Sequence, residues 1–290
     1  MDRTLVAVQT NSRISLTDYA RPQTLDQALS LLAGGGWKVL GGGTDLYPNA
    51  GTRLAGRVLD LTAVAGLSGI TVDDDLRIGA ATTWADLAAT DLPPACRALQ
   101  QASLLVGGRQ VQNAGTIGGN LCNASPAADG VPALVVLDAV IELCSDQGMR
   151  RLDLDAFLLG PRQTALQPGE IVSAVIIPKA SLRGRSAFVK LGARAHLVIS
   201  IAMVAARLEV DSGRIVSAAI AVGSCSPVAA RLALVEAALT GAPVAEAMDR
   251  VRAVDVHAAL APIDDVRATA DYRRQAAVEL VRHAVAAALA

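Results

Sequence analysis

The sequence predicts an α+β protein, and three observations carry that expectation. Short β-type runs alternate with helical runs on either side of two glycine-rich stretches. From Glu170 the β-type runs lengthen: Ile171–Ile177, Ala187–Leu191 extending toward Ile199–Val210, and Ile215–Val222. Beyond Val228 the apolar spacing turns helical through Leu232–Leu239, Val244–Val251 and Tyr272–Leu289. Strands followed by helices mark a separate α+β lobe. The boundary falls near Ile177–Arg183, which divides the chain into residues 1–180 and 181–290.

In order, Leu25, Ala28, Leu29 and Leu32 recur at helical spacing, and Gly34-Gly35-Gly36 ends that helix. Trp37–Leu40 reads as a strand, as does Arg57–Leu61, and Gly69–Val72 with Leu76–Ala80 reads as a hairpin. The tip of that hairpin, Asp73-Asp74-Asp75, has the composition of a solvated turn rather than a metal site. Thr83 opens a short helix, and a second from Ala95 to about Val106 leads into the central glycine stretch. After it, Val131–Leu137 reads as helix and Ala139–Cys144 as a buried strand. The run Ser200–Arg207 is continuously small and apolar, and its length and neighbours favour strand.

The two glycine stretches are Val39-Leu40-Gly41-Gly42-Gly43-Thr44-Asp45-Leu46 and Gln112–Pro132, which reads QNAGTIGGNLCNASPAADGVP. Glycine lets the backbone turn and approach a ligand without a Cβ clash. Successive amides in such turns form anion-binding nests, so two of them suggest two sides of one diphosphate. Neither is a Rossmann fingerprint, because no G-x-G-x-x-G sits between a strand and a helix. Asp129 repels phosphate and is suited to a sugar hydroxyl.

Twenty-six basic residues balance 27 acidic ones, with no basic stripe, which excludes nucleic acid as the expected partner. The four cysteines, Cys96, Cys122, Cys144 and Cys225, form no CxxC pair, so neither a zinc ribbon nor a self-contained cluster is expected. They read as reduced, mostly buried thiols of a cytoplasmic protein. The opening MDRTLVAVQTNSR lacks the pattern of a signal peptide, and Ala276–Ala290 is too short and too charged to span a bilayer. Aromatic residues make up only 2% of the chain, so a flat ligand ring would rest on backbone and aliphatic groups.

The pairing of VLGGGTDL with TIGGNLCNASPAADGVPALVVLDA resembles the FAD-binding (medium) subunits of the molybdenum hydroxylases. The likeness extends from Tyr19-Ala20-Arg21-Pro22 to the segment Asp264–Arg274. The resemblance implies a vanillyl-alcohol-oxidase-type FAD-binding domain of two α+β subdomains. A smaller lobe follows, with a three-stranded antiparallel sheet and helices. FAD is the implied cofactor. Val39, Leu40, Gly41, Gly42, Gly43, Thr44, Asp45 and Leu46, with Thr116, Ile117, Gly118, Gly119 and Asn120, would wrap its diphosphate. Within them the amides of Gly41–Thr44, Gly118 and Gly119 are the candidate phosphate donors. Asp129 falls on the family's cofactor-binding acid, Val172 on an apolar cofactor contact, and Lys190 on a lysine near the flavin. A cation there favours the anionic reduced flavin.

The resemblance further implies a large molybdenum-cofactor subunit and a small [2Fe-2S] subunit, assembled as a dimer of heterotrimers, with electrons leaving through FAD. No residue of this chain is expected to be catalytic or to bind a metal. The loop 192–199, GARAHLVI, departs from the charged version in xanthine dehydrogenases and should lie over one face of the flavin, where it controls acceptor access. Two rival readings remain: a free-standing flavin oxidase or reductase on the related fold, and an adaptor whose glycine loops are only structural. No histidine before His196 is placed for covalent flavin attachment.

Overall fold

In the computed structural model the described residues are 19–50 and 56–290; the N-terminal stretch read above as lacking a leader lies outside them. A small layer comes first: β1 (Tyr19–Ala20), α1 (Leu25–Ala33), β2 (Trp37–Leu40) and β3 (Arg57–Asp60). β3 lies between β1 and β2, parallel to both. Thr24 starts α1 by accepting a bond from the Gln27 amide, and Ala28 and Leu29 bury its apolar side.

The next layer is an antiparallel five-stranded sheet. Its strands are β4 (Ile70–Val72), β5 (Leu76–Gly79), β6 (Val140–Ser145), β7 (Gly148–Asp153) and, after the small hairpin β8 (Leu158–Gly160) and β9 (Gln163–Thr164), β10 (Ile171–Ile177). Their order is β4-β5-β10-β6-β7. Between β5 and β6 run α2 (Trp84–Ala89), α3 (Arg97–Leu105), α4 (Arg109–Ala114), α5 (Ile117–Asn123) and α6 (Gly130–Val136), and α7 (Leu154–Phe157) follows β7. Thr83 and Asp86 form a capping box at α2. β10 is hydrogen-bonded on both edges, to β5 and β6, so Ile171–Ile177 belongs to this sheet and not to the second lobe.

The last layer is β11 (Arg185–Leu191), β12 (Ala202–Asp211), β13 (Arg214–Gly223) and β14 (Ala230–Arg231), antiparallel in that order, with α8 (Ala233–Leu239), α9 (Ala247–Arg250), α10 (Ala253–His257) and α11 (Ala270–Leu289). This lobe has three long strands, but not the three expected from the apolar runs: Ile171–Ile177 lies in the middle sheet, the run from Ala187 toward Val210 splits into β11 and β12, and a fourth strand of two residues is added. The run expected to continue from Leu191 toward Val210 instead breaks at Gly192: the Ile201 amide donates to the Leu191 carbonyl at 2.8 Å, which closes a loop and folds the chain into a hairpin. Met203 and Ala205 join the core under α3 and α6, whereas Ala202, Val204, Ala206 and Leu208 join the core under α11. Burial on both faces accounts for the continuous apolar run.

Candidate functional site

At Leu40 the chain leaves β2 and turns through Gly41–Gly43, with Gly43 at φ +72° and its carbonyl accepting from the Tyr47 amide at 3.0 Å. Among the described residues, none of the amides from Gly41 to Leu46 donates a hydrogen bond to the protein. Those donors are open. The glycines themselves answer to a close packing of chain on chain. A Cβ on Gly42 would lie 1.7 Å from the Ala114 carbonyl oxygen, and one on Gly41 would lie 2.9 Å from Thr116 Oγ1. The two glycine stretches therefore touch and form one continuous rim.

The second stretch is helical rather than a loop. Thr116 caps α5, its hydroxyl accepting from the Gly119 amide at 3.1 Å, and the Asn120 amide donates to the Thr116 carbonyl at 3.0 Å. The Gly118 amide donates to the Ala80 carbonyl at 2.8 Å, and the Ile117 amide to Thr82 at 3.0 Å. Of the six amides expected to face a phosphate, those of Gly118 and Gly119 are thus already occupied. Gly118 is needed because a Cβ there would come within 2.7 Å of the Ala80 Cβ. Ile117 is fully buried in the core. What this stretch leaves available is the Thr116 hydroxyl proton and the Asn120 side chain, whose Oδ1 is buried without a partner.

The rim opens on a cavity of about 880 Å³, within the size range of cofactor pockets. Every residue from Val39 to Leu46 lines it, with Thr116, Gly118, Gly119, Asn120, Asp129 and Val172. Val172 sits beside an irregularity in the β10–β6 pairing, where the register shifts between Val172 and Ala174. Among the described residues Trp84 is the one aromatic side chain in the wall, and Leu61, Leu67 and Ala80 are among its aliphatic members. Sequence reasoning missed Gly107, Gly108, Cys122 and Arg162, which also line the cavity. The Gly107-Gly108 pair was a visible cue and Cys122 lies within the second glycine stretch; Arg162 is brought in only by tertiary folding. Cys122 is accessible from the cavity yet packed round by protein, and that burial pushes its thiol up to about 12.

Lys190 stands behind the wall. Its Nζ donates to Asp129 Oδ2 at 2.6 Å and to the Leu105 carbonyl at 3.1 Å, and Ser200 donates to Asp129 Oδ1 at 2.5 Å. Burial raises the Asp129 carboxyl above its ordinary range, and the bonds from Lys190 and Ser200 only partly offset it. Leu197, Val198 and Ile199 bring the 192–199 loop to the cavity. Leu197 holds φ +54° and comes up against Gly108, where a Cβ would lie 2.7 Å from its Cδ2. Arg194 fastens the turn by donating to the carbonyls of His196 and Leu197 at 3.0 and 2.6 Å. Among the described residues no His/Cys/Asp/Glu cluster could hold a metal, and Asp73–Asp75 form a turn in which Lys179 pairs with Asp74.

Residues 12–180 match the family described as the FAD binding domain in molybdopterin dehydrogenase, and residues 187–288 match the CO dehydrogenase flavoprotein C-terminal domain. The chain belongs to the FAD-binding subunits of the molybdenum hydroxylases. It is 32% identical over 276 residues to the carbon monoxide dehydrogenase medium chain of Afipia carboxidovorans, covering 92% of this chain and 95% of that one. It is 30% identical over 286 residues to a xanthine dehydrogenase FAD-binding subunit of Escherichia coli, covering 94% and 96%. The crystal structure of cyanide-inactivated Cu,Mo-CO dehydrogenase superposes with a TM-score of 0.85 at 31% identity, over 93% and 96% of the two chains. As a molybdenum hydroxylase flavin subunit, the chain is an oxidoreductase component with FAD as cofactor and an electron-transfer role. The site fits that cofactor: open amides for the phosphates, an orphaned Asn120 oxygen for a hydroxyl or N–H, and an aliphatic wall for a ring.

Proposed function

We propose that the cavity holds FAD with its diphosphate against the open amides of Gly41–Leu46, and that Thr116 and Asn120 complete the contact from the second stretch. The observation that carries this reading is that six consecutive residues with unused amides, Gly41–Leu46, and Asn120 with its orphaned oxygen all belong to the lining of a single cavity. Bound FAD supplies the capacity to accept and release electrons. Val172 packs against the cofactor. Asp129 and Lys190 act as a pair, with Asp129 lining the cavity and Lys190 holding it from behind. Residues 1–180 form the FAD-binding domain and residues 181–290 the C-terminal domain.

In this reading electrons reach FAD from the [2Fe-2S] clusters of a small subunit and leave to an external acceptor. A large molybdenum-cofactor subunit performs the hydroxylation, in a cytoplasmic dimer of heterotrimers. The names of the relatives span carbon monoxide, xanthine and nicotinate, so substrate choice is assigned to the large subunit. No helix of the described residues is long and apolar enough to cross a membrane. The experiment is isolation of the full chain with its native partners. Copurifying molybdenum and iron–sulfur chains, with one FAD per flavin subunit, are expected. A colourless chain that binds no added FAD would overturn the assignment, and a yellow chain active without partners would favour a free-standing oxidase.

A further inference from the structure

The segment Asp264–Arg274 has no role in the reading so far, yet it is held by the densest set of charge-assisted bonds in the C-terminal lobe. Asp265 is its centre. Its Oδ2 accepts from Arg267 Nε at 3.0 Å and Nη2 at 2.5 Å, and its Oδ1 accepts from Arg273 Nη2 at 2.7 Å. The two guanidiniums then reach two consecutive carbonyls. Arg267 Nη1 donates to the Ser200 carbonyl at 2.9 Å, and Arg273 Nη1 donates to that of Ile201 and, at 3.0 Å, to that of Ser224. Arg273 is 1% exposed and Ser200 fully buried.

Ser200 and Ile201 are the outgoing foot of the loop 192–199, and Lys190 and Leu191 are its incoming foot. Asp129, on the cavity wall at the start of α6, takes one donor from each foot: Lys190 on Oδ2 and Ser200 on Oδ1. The same serine whose carbonyl Arg267 grips therefore aims its hydroxyl at Asp129. We infer that Asp265, Arg267 and Arg273 are positioning residues for the cofactor site: they fix Ser200, Ser200 fixes Asp129, and the loop is thereby seated over the cavity. This inference rests on the FAD reading above. It also gives Asp129 a second task, that of stapling both feet of the loop to the FAD-binding side.

The test uses the full chain with R267Q, R267K, S200A and the R267Q/S200A double variant, and measures FAD affinity, iodide quenching of flavin fluorescence and thermal melting without FAD. R267Q and S200A are each expected to weaken FAD binding about tenfold, as loss of a bond to a charged group does, and to raise quenching. The double variant should be no weaker than the worse single one, because both act through the same hydroxyl. R267K, which keeps a donor, should recover part of the loss. Wild-type affinity and quenching in R267Q together with a lowered melting point would reduce the brace to a structural element and overturn the inference. Losses that multiply in the double variant would overturn it too. Should R267Q fail to fold, S200A and R267K still decide, since S200A leaves all three charged groups in place. Failure of the wild-type chain to bind FAD would instead strike the proposed function, a distinguishable result.

Discussion

Asp129 and Lys190 form the most deeply buried ion pair in the cavity region, with side chains 9% and 7% exposed. Removing one member of such a pair leaves an uncompensated charge, whereas removing both leaves none. K190M is therefore expected to destabilise the chain by roughly 3 kcal/mol, and D129N/K190M to regain a large part of that, in urea melts read by circular dichroism. A double variant no more stable than K190M would show that the pair's surroundings, not its charges, set the cost. At this scale the site was unevenly legible. The glycines stand out in sequence, but the reason for Gly42 is the Ala114 carbonyl pressed against it, and no local pattern announces that contact. Position also separates residues that a motif groups together. Ile117 lies inside TIGGN yet points into the core, because the helix that carries it turns a different face to the cavity.

Among the elements, the first glycine loop is the one whose backbone the site uses directly. The Gly42 backbone touches Ala114–Gly115 so closely that a methyl group has no room, and the obstructing atoms are themselves backbone. G42A should cost about 1–3 kcal/mol of stability through overpacking and should abolish detectable FAD binding by pushing the loop off α4 and α5. Equilibrium dialysis with FAD and a thermal melt check the two halves. Retained FAD binding at wild-type affinity would mean that the rim need not be continuous. The element map was largely readable where local signals agree with the tertiary answer: α1 has its Thr24 cap and a glycine stop, and β2 and β5 are short β-type runs. It was misread where they conflict. Two consecutive glycines made α5 look like a loop, although the Thr116 cap and the bond from Gly118 to Ala80 hold it as helix. The pattern of β-type runs carried the strand on from Leu191 toward Ile199, whereas the family resemblance marked 192–199 as a loop; Leu197–Ile199 line the cavity and belong to no strand.

At the scale of the whole molecule, the C-terminal sheet is a shared wall. One face packs under α3 and α6 with Phe188, Met203, Ala205 and Ala221, and the other packs under α8 and α11. Buried and half-buried carboxylates tie the molecule together, Asp138 across this seam and the others within their own layers. Asp138 takes Arg207 and Arg231 from the C-terminal sheet at 2.9 and 2.8 Å; Glu142 joins Arg77 and Arg151 across the middle sheet; Glu170 holds Arg150 at 2.6 Å; Asp60 receives Tyr19 and Thr62. Arg150's bonds and those of Arg267 hold Glu170 and Asp265 below the usual carboxylate range. For Asp60, Asp138 and Glu142 burial pushes upward, but the donors named, with Ser181 and Ser173, outweigh it and leave each lowered. A carboxyl whose folded pKa lies below its unfolded value binds fewer protons folded than unfolded at intermediate pH. Its contribution is complete above the unfolded pKa and drains away as pH falls through that value toward the folded one. Asp129 runs the other way, since its raised pKa makes ionisation a cost to the fold as pH rises. Five lowered groups against one raised group set the net sign. The melting temperature should therefore hold from neutral pH down to about pH 5 and fall steeply below about pH 4, where unfolded Asp and Glu begin to take up protons. A calorimetric series from pH 7 to pH 3 checks this, with D138N as control. Its acid limb should be shallower than that of the wild type, and an unchanged slope would remove the Asp138 seam from the set of groups that link stability to pH.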